Sequence, residues 1–201
     1  MDRLLKSISY IFHPIIMPLL GVIFYFSKSP RYIAPEVIQA KVIVLFILTI
    51  LLPILLYFLL KILGKVNSIH LNSTKERIYP LILSCLVTLV VTQRILTPTQ
   101  AIELYFFYMG ILLSTMTCLI LAILKFKASI HMMGVSGVFM FFIALSIHFS
   151  INLSGTLALM ALVLGAVATS RLHVKAHDSK ELAIGLFIGI IPQLILIPYW
   201  L

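Results

Sequence analysis

The stretch "AIELYFFYMGILLSTMTCLILAIL", residues 101–124, holds one charged side chain, Glu103, near its start. Wound as an α-helix, twenty-odd residues at about 1.5 Å each cross the hydrocarbon core of a bilayer. The run does not alternate apolar with polar, as a barrel strand would, and a helix satisfies its backbone N–H and C=O groups internally. Working outward, further apolar segments lie at about 8–27, 40–63, 78–97, 131–149, 153–169 and 183–201. The pattern predicts an all-α polytopic membrane protein of seven spans, residues 1–201 forming a single membrane domain.

Composition supports this class. A chain that is 62% hydrophobic and 10% charged has too few polar side chains to cover a water-soluble domain of 201 residues. The formal charge of +9 fits loop lysines and arginines that set orientation and touch anionic headgroups, so membrane lipids are the expected surroundings and nucleic acid is not an expected partner. Cys85 and Cys118 fall in apolar segments, which argues against a disulfide framework. The opening "MDRLLKSISYIFHPIIMPLLGVIFYF" is interrupted by His13, Pro14 and Pro18. It reads as a first membrane helix rather than a removable signal.

The short "TPTQ" connection, residues 97–100, predicts that the segments on either side pack as an antiparallel hairpin. Crossing parity puts the N-terminus and residues 64–77, 125–130 and 170–182 on one side of the membrane. That side holds eleven of the fifteen lysines and arginines. The positive-inside rule makes it cytoplasmic. Small size and the lack of a soluble domain suggest a bacterial inner membrane.

Three polar stretches on this face carry distinctive residues. In "STKERIYP" Lys75 and Arg77 precede a helix expected to begin near Pro80; "KFKASIHMMG" holds Lys127, Ser129 and His131; "SRLHVKAHDSKE" holds Ser170, Arg171, His177 and Glu181. If 175–183 is helical, His177 and Glu181 share a face, and the carboxylate can accept the imidazole Nδ1–H. That leaves Nε2 as base or nucleophile.

These motifs resemble the type 2 phosphatidic acid phosphatase superfamily of lipid phosphatases, acid phosphatases and vanadium haloperoxidases, marked by K-x6-R-P, P-S-G-H and S-R-x5-H-x3-D. Ser170, Arg171 and His177 match the third motif, with Glu181 in place of Asp. "ASIH", residues 128–131, resembles the second, with Ala128 in place of Pro and Ile130 in place of Gly. Around Arg77 the first motif departs most: His70 stands where the lysine belongs, and the proline is delayed to Pro80.

The resemblance implies a membrane phosphatase of lipid metabolism, with a six-helix lipid-phosphatase core compatible with the chain. It hydrolyses a lipid phosphate or pyrophosphate such as phosphatidate, phosphatidylglycerol phosphate or polyprenyl pyrophosphate. It implies His177 as nucleophile forming a phosphohistidine, Glu181 stabilising its imidazolium, and His131 as acid and base. Arg77, Arg171, Lys75, Lys127, Ser129 and Ser170 are the implied phosphate ligands, with neither metal nor cofactor required. Family members usually carry the site on the outer side, against the charge count here.

Other readings compete. The departures at Ile130 and His70 suit a catalytically impaired relative that only binds a lipid phosphate, or a transporter. "GVSGVF", residues 134–139, resembles the rhomboid G-x-S-G, with Ser136 as nucleophile and His177 as its partner. His173, His177 and Glu181 are spaced i, i+4, i+8, as one helical face for a metal would need. His13 and His148 read as packing histidines, and Glu103 is given no role.

Overall fold

The computed structural model describes residues 2–66 and 73–201, and for residues 2–4 and 6 the backbone only. Among the described residues every regular element is a helix: α1 (Asp2–Ile11), α2 (Met17–Lys28), α3 (Pro35–Phe46), α4 (Leu52–Ile62), α5 (Thr74–Val90), α6 (Ile102–Ile123), α7 (Ile130–His148), α8 (Ser154–His173) and α9 (Ser179–Leu196). Six helical stretches are long and apolar enough to cross a membrane: Pro35–Ile62, Thr74–Ile95, Ile102–Ile123, Ile130–His148, Ser154–His173 and Ser179–Tyr199. Six of the seven expected segments are therefore long helices.

The first segment differs. α1 ends at Ile11, and α2, with Pro18 in its first turn, begins only at Met17. Pro14 has no N–H to continue a helix, and its ring disfavours helical geometry in His13. α2 alone, at about 18 Å, is shorter than a bilayer core. The chain around its two ends nevertheless reaches opposite ends of α7: His13 stands beside His131, while Tyr25 of α2 and Arg31 reach Glu103, which also meets His148.

α3 and α4 join through one wide turn, Ile47–Leu51, into a single long helix. Pro53 supplies the cause, since it has no N–H for the Thr49 carbonyl four residues back. This helix stands at the edge of the bundle with Ile54, Leu55, Phe58 and Leu59 exposed, a face suited to lipid. α5 begins earlier than expected. Ser73 caps it by accepting the Glu76 N–H at 3.3 Å, so Pro80 lies inside the helix. Lys75 and Arg77 consequently point about 200° apart: Lys75 is exposed, whereas Arg77 is buried. α5 and α6 pack against each other across the 97–100 connection.

α7 is the hub, in contact with α9, α8 and α2. Gly185 and Gly189, one turn apart on α9, let it approach α7 closely. A Cβ on Gly189 would collide with Ser136 Oγ and the Met133 carbonyl, and one on Gly185 would press on the Ser129 carbonyl. Phe107 of α6 stacks on Phe141 of α7 with ring centroids 4.2 Å apart. At the end away from the motifs, fully buried Glu103 binds Arg31 at 2.8 Å, His148 at 3.1 Å and Tyr25 at 3.1 Å.

Candidate functional site

The polar stretch 170–181 is the end of one helix and the beginning of the next. α8 stops at His173. Lys175, at φ +51°, turns the chain with its N–H bonded to the Leu172 carbonyl and the Ala176 N–H bonded to the Arg171 carbonyl. Asp178 then caps α9 by accepting the Glu181 N–H at 2.8 Å.

His177 therefore precedes the cap and is not part of the helix, contrary to the expected helical face. Its Nδ1 still meets Glu181 Oε2 at 2.6 Å, across the cap. The carboxylate accepts, so Nδ1 carries the proton and Nε2 keeps its lone pair. The same turn separates His173 from His177, which breaks the i, i+4, i+8 face a metal site would need.

The 124–129 connection is built alike. Lys125 at φ +64° ends α6, and buried Ser129 caps α7 by accepting the Met132 N–H at 3.4 Å. The two connections are tied together: Lys127 Nζ donates to the Ala176 carbonyl at 2.8 Å, and Ser129 N–H donates to the Glu181 carbonyl at 3.1 Å. Arg77 donates to the Ala128 carbonyl at 2.8 Å. A third tie comes from α1, where the Ser170 hydroxyl donates to the Leu5 carbonyl at 2.5 Å and meets the Ser9 hydroxyl at 2.6 Å.

Inside these ties lies a cavity of about 430 Å³. Arg77, His131, Arg171 and His177 line its polar end, joined by His13. The walls below are largely apolar, with Met17, Pro53, Phe58, Leu81 and Phe107 among them. The remaining expected ligands are elsewhere. Lys75 faces outward because of its register on α5; Ser129 and Ser170 are spent on a cap and on α1; Lys127 braces the two connections. None of these four lines the cavity, nor does Glu181, whose contact with a lining residue is the one to His177. His70 lies outside the described residues.

His131 Nε2 is 3.2 Å from the Ser9 carbonyl, which can only accept, so Nε2 holds the proton and Nδ1 is the remaining basic nitrogen. Arg171 reaches Ser9 Oγ at 3.5 Å, while its Nε is buried with no hydrogen-bond partner. Burial first, then the charges of Arg77, Lys127 and Arg171, push His177 down to about 3; the Lys127 carbonyl works weakly the other way. The ring is therefore held neutral, as a nucleophile must be.

Two participants came from a region with no motif. Ser9 supplies both the carbonyl that orients His131 and a hydroxyl for Arg171, and His13 sits in the cavity wall. The one signal in sequence was "FHPIIMP", in which prolines break a membrane helix next to a histidine. Ser136, by contrast, is fully buried between α7 and α9, its hydroxyl donating to the Leu186 carbonyl at 3.0 Å, and it does not line the cavity.

Among the described residues, fold and site together show helices as the regular elements, six of them of membrane length, and a cationic, histidine-bearing cavity. Comparison with protein-family models, curated proteins and solved structures gives no match to this chain.

Proposed function

We propose that the chain is a seven-pass integral membrane phosphatase acting on a lipid phosphate or pyrophosphate through a phosphohistidine. One observation carries the reading: Arg77, His131, Arg171 and His177 converge on one cavity, where the buried Arg171 Nε has no acceptor. A phosphate group, rich in acceptor oxygens and doubly negative, complements that set. The apolar walls below suit the hydrocarbon part of a lipid.

In the mechanism, the arginines hold the non-bridging oxygens, and the His177 Nε2 lone pair attacks phosphorus in line. The P–O bond to the leaving group breaks, and its electron pair stays on that oxygen. His131, carrying a second proton on Nδ1 while the dianion is bound, protonates it. Glu181 stabilises the positive charge that develops on His177. Neutral His131 then takes a proton from water, water oxygen attacks phosphorus, and the P–N bond breaks to release phosphate. The reading places the protein in a bacterial inner membrane.

The test is phosphate release by purified protein from phosphatidate, phosphatidylglycerol phosphate and polyprenyl pyrophosphate in mixed micelles. Turnover of at least one, abolished in His177→Ala, is expected. Unchanged turnover in that variant ends the assignment.

A further inference from the structure

We infer that His13 is a further ligand of the bound phosphate, a neutral imidazole whose Nε2–H donates to one of its oxygens. The inference rests on the proposed anion site and adds to it a residue from outside the three motifs.

The position of His13 follows from the break in the first segment. α1 packs on α8 and α2 on α7, and the bend between them carries His13 across the mouth of the bundle. There its ring meets His131 edge to face, centroids 5.2 Å apart and planes at 82°, and it lines the cavity with Arg77, Arg171 and His177. The protonation pattern follows from one contact. Ile15 N–H donates to His13 Nδ1 at 3.3 Å, so Nδ1 is an acceptor and the proton sits on Nε2. No residue among those described accepts from that Nε2–H.

The polar end of the cavity thus presents the Arg171 Nε–H and the His13 Nε2–H as donors, beside the basic nitrogens of His131 and His177. No carboxylate stands among the described residues lining it. The buried Arg171 Nε and the His13 Nε2–H have no acceptor among the described residues, a requirement that one tetrahedral oxyanion meets for several donors at once. The Ile15 contact also decides what His13 does. A second proton on Nδ1 would face the Ile15 N–H, donor against donor, so the ring contributes a hydrogen bond and does not deliver a proton.

Vanadate, which adopts the five-coordinate geometry of phosphoryl transfer, is the probe, titrated calorimetrically into the full-length protein. His13→Ala is expected to weaken vanadate binding about ten- to a hundredfold. His13→Gln, which returns an amide N–H close to the Nε2 position, should stay within about threefold of the unaltered protein. The ratio of affinities between the unaltered protein and His13→Ala should be constant from pH 6 to 7.5, as a neutral donor requires.

Equal binding by His13→Ala, failure of His13→Gln to rescue, or a ratio that climbs as pH falls would each overturn the inference. If His13→Ala does not fold, the glutamine variant decides alone, because a tenfold loss there contradicts the donor role. Loss of the inference alone leaves vanadate binding and turnover intact in His13→Ala. Loss of the underlying reading appears instead as no vanadate binding by the unaltered protein, and removes both.

Discussion

Shortening Glu181 by one methylene separates geometry from resemblance. The related motif has aspartate at this position, so resemblance alone expects Glu181→Asp to be harmless. The structure expects otherwise. Asp178 fixes residue 181 in the first turn of α9 through the bond to its N–H, and the glutamate side chain from there just reaches His177 Nδ1 at 2.6 Å. Removing one C–C bond of about 1.5 Å opens the contact to about 4 Å, beyond hydrogen-bonding range. A hydrogen bond to a charged group contributes about 1.5–3 kcal/mol. At about 1.4 kcal/mol per factor of ten, Glu181→Asp should lower kcat by one to two orders of magnitude. The assay is initial-rate phosphate release from a long-chain lipid phosphate, with vanadate affinity measured in parallel and little changed. Aspartate activity within about threefold of glutamate would refute the reasoning, since the carboxylate would then not be acting through this bond.

Stability should depend on pH through His177. Its folded value is pushed to about 3 from an ordinary 6.5, so the unfolded chain takes up a proton that the folded chain refuses between these limits. The stabilisation is fully present above pH 6.5 and is lost progressively as pH falls toward 3, a slope that should be shallower in thermal unfolding of His177→Asn in detergent. Gly189→Ala drives a methyl into Ser136 Oγ and the Met133 carbonyl. It should cost about 1–3 kcal/mol and reduce activity by shifting α9, whereas Gly165→Ala, which meets open space inside α8, should melt no lower than the unaltered protein, alanine being the better helix former by about 0.5–1 kcal/mol. Glu103→Ala leaves the Tyr25 hydroxyl and His148 without their buried acceptor and should destabilise by about 1–3 kcal/mol, with vanadate affinity unchanged.

Sequence disclosed the helical class because uninterrupted apolar runs have one solution in lipid, and the hairpin at 97–100 followed from a connection too short for anything else. It also brought Arg171, His177 and Glu181 forward, since one short spacing holds all three. Other features depended on local geometry that motif spacing does not encode. Ser73 acting as a cap moved the start of α5 back to Thr74, which turned Lys75 away from the cavity and Arg77 toward it. Hydroxyls that matched motif positions, Ser129 and Ser170, were already committed to a helix cap and to the α1 backbone. His13 and Ser9 could not be placed beforehand, because their proximity to His131 arises from how a broken helix packs. Gly185 and Gly189 did carry a readable signal: small residues four apart on an apolar helix mark a close helix contact.

The account stands on one nitrogen, His177 Nε2, meeting phosphorus while the opposite edge of the ring is held by Glu181. Mixing the purified protein with lipid phosphate, quenching within milliseconds in alkali and mapping the modified peptide by mass spectrometry observes that bond directly. The account predicts a phosphoryl group on His177, stable in base, labile in acid and missing from His177→Ala. Phosphate release with no modification at His177, or with a phosphoryl group on another residue, would contradict it.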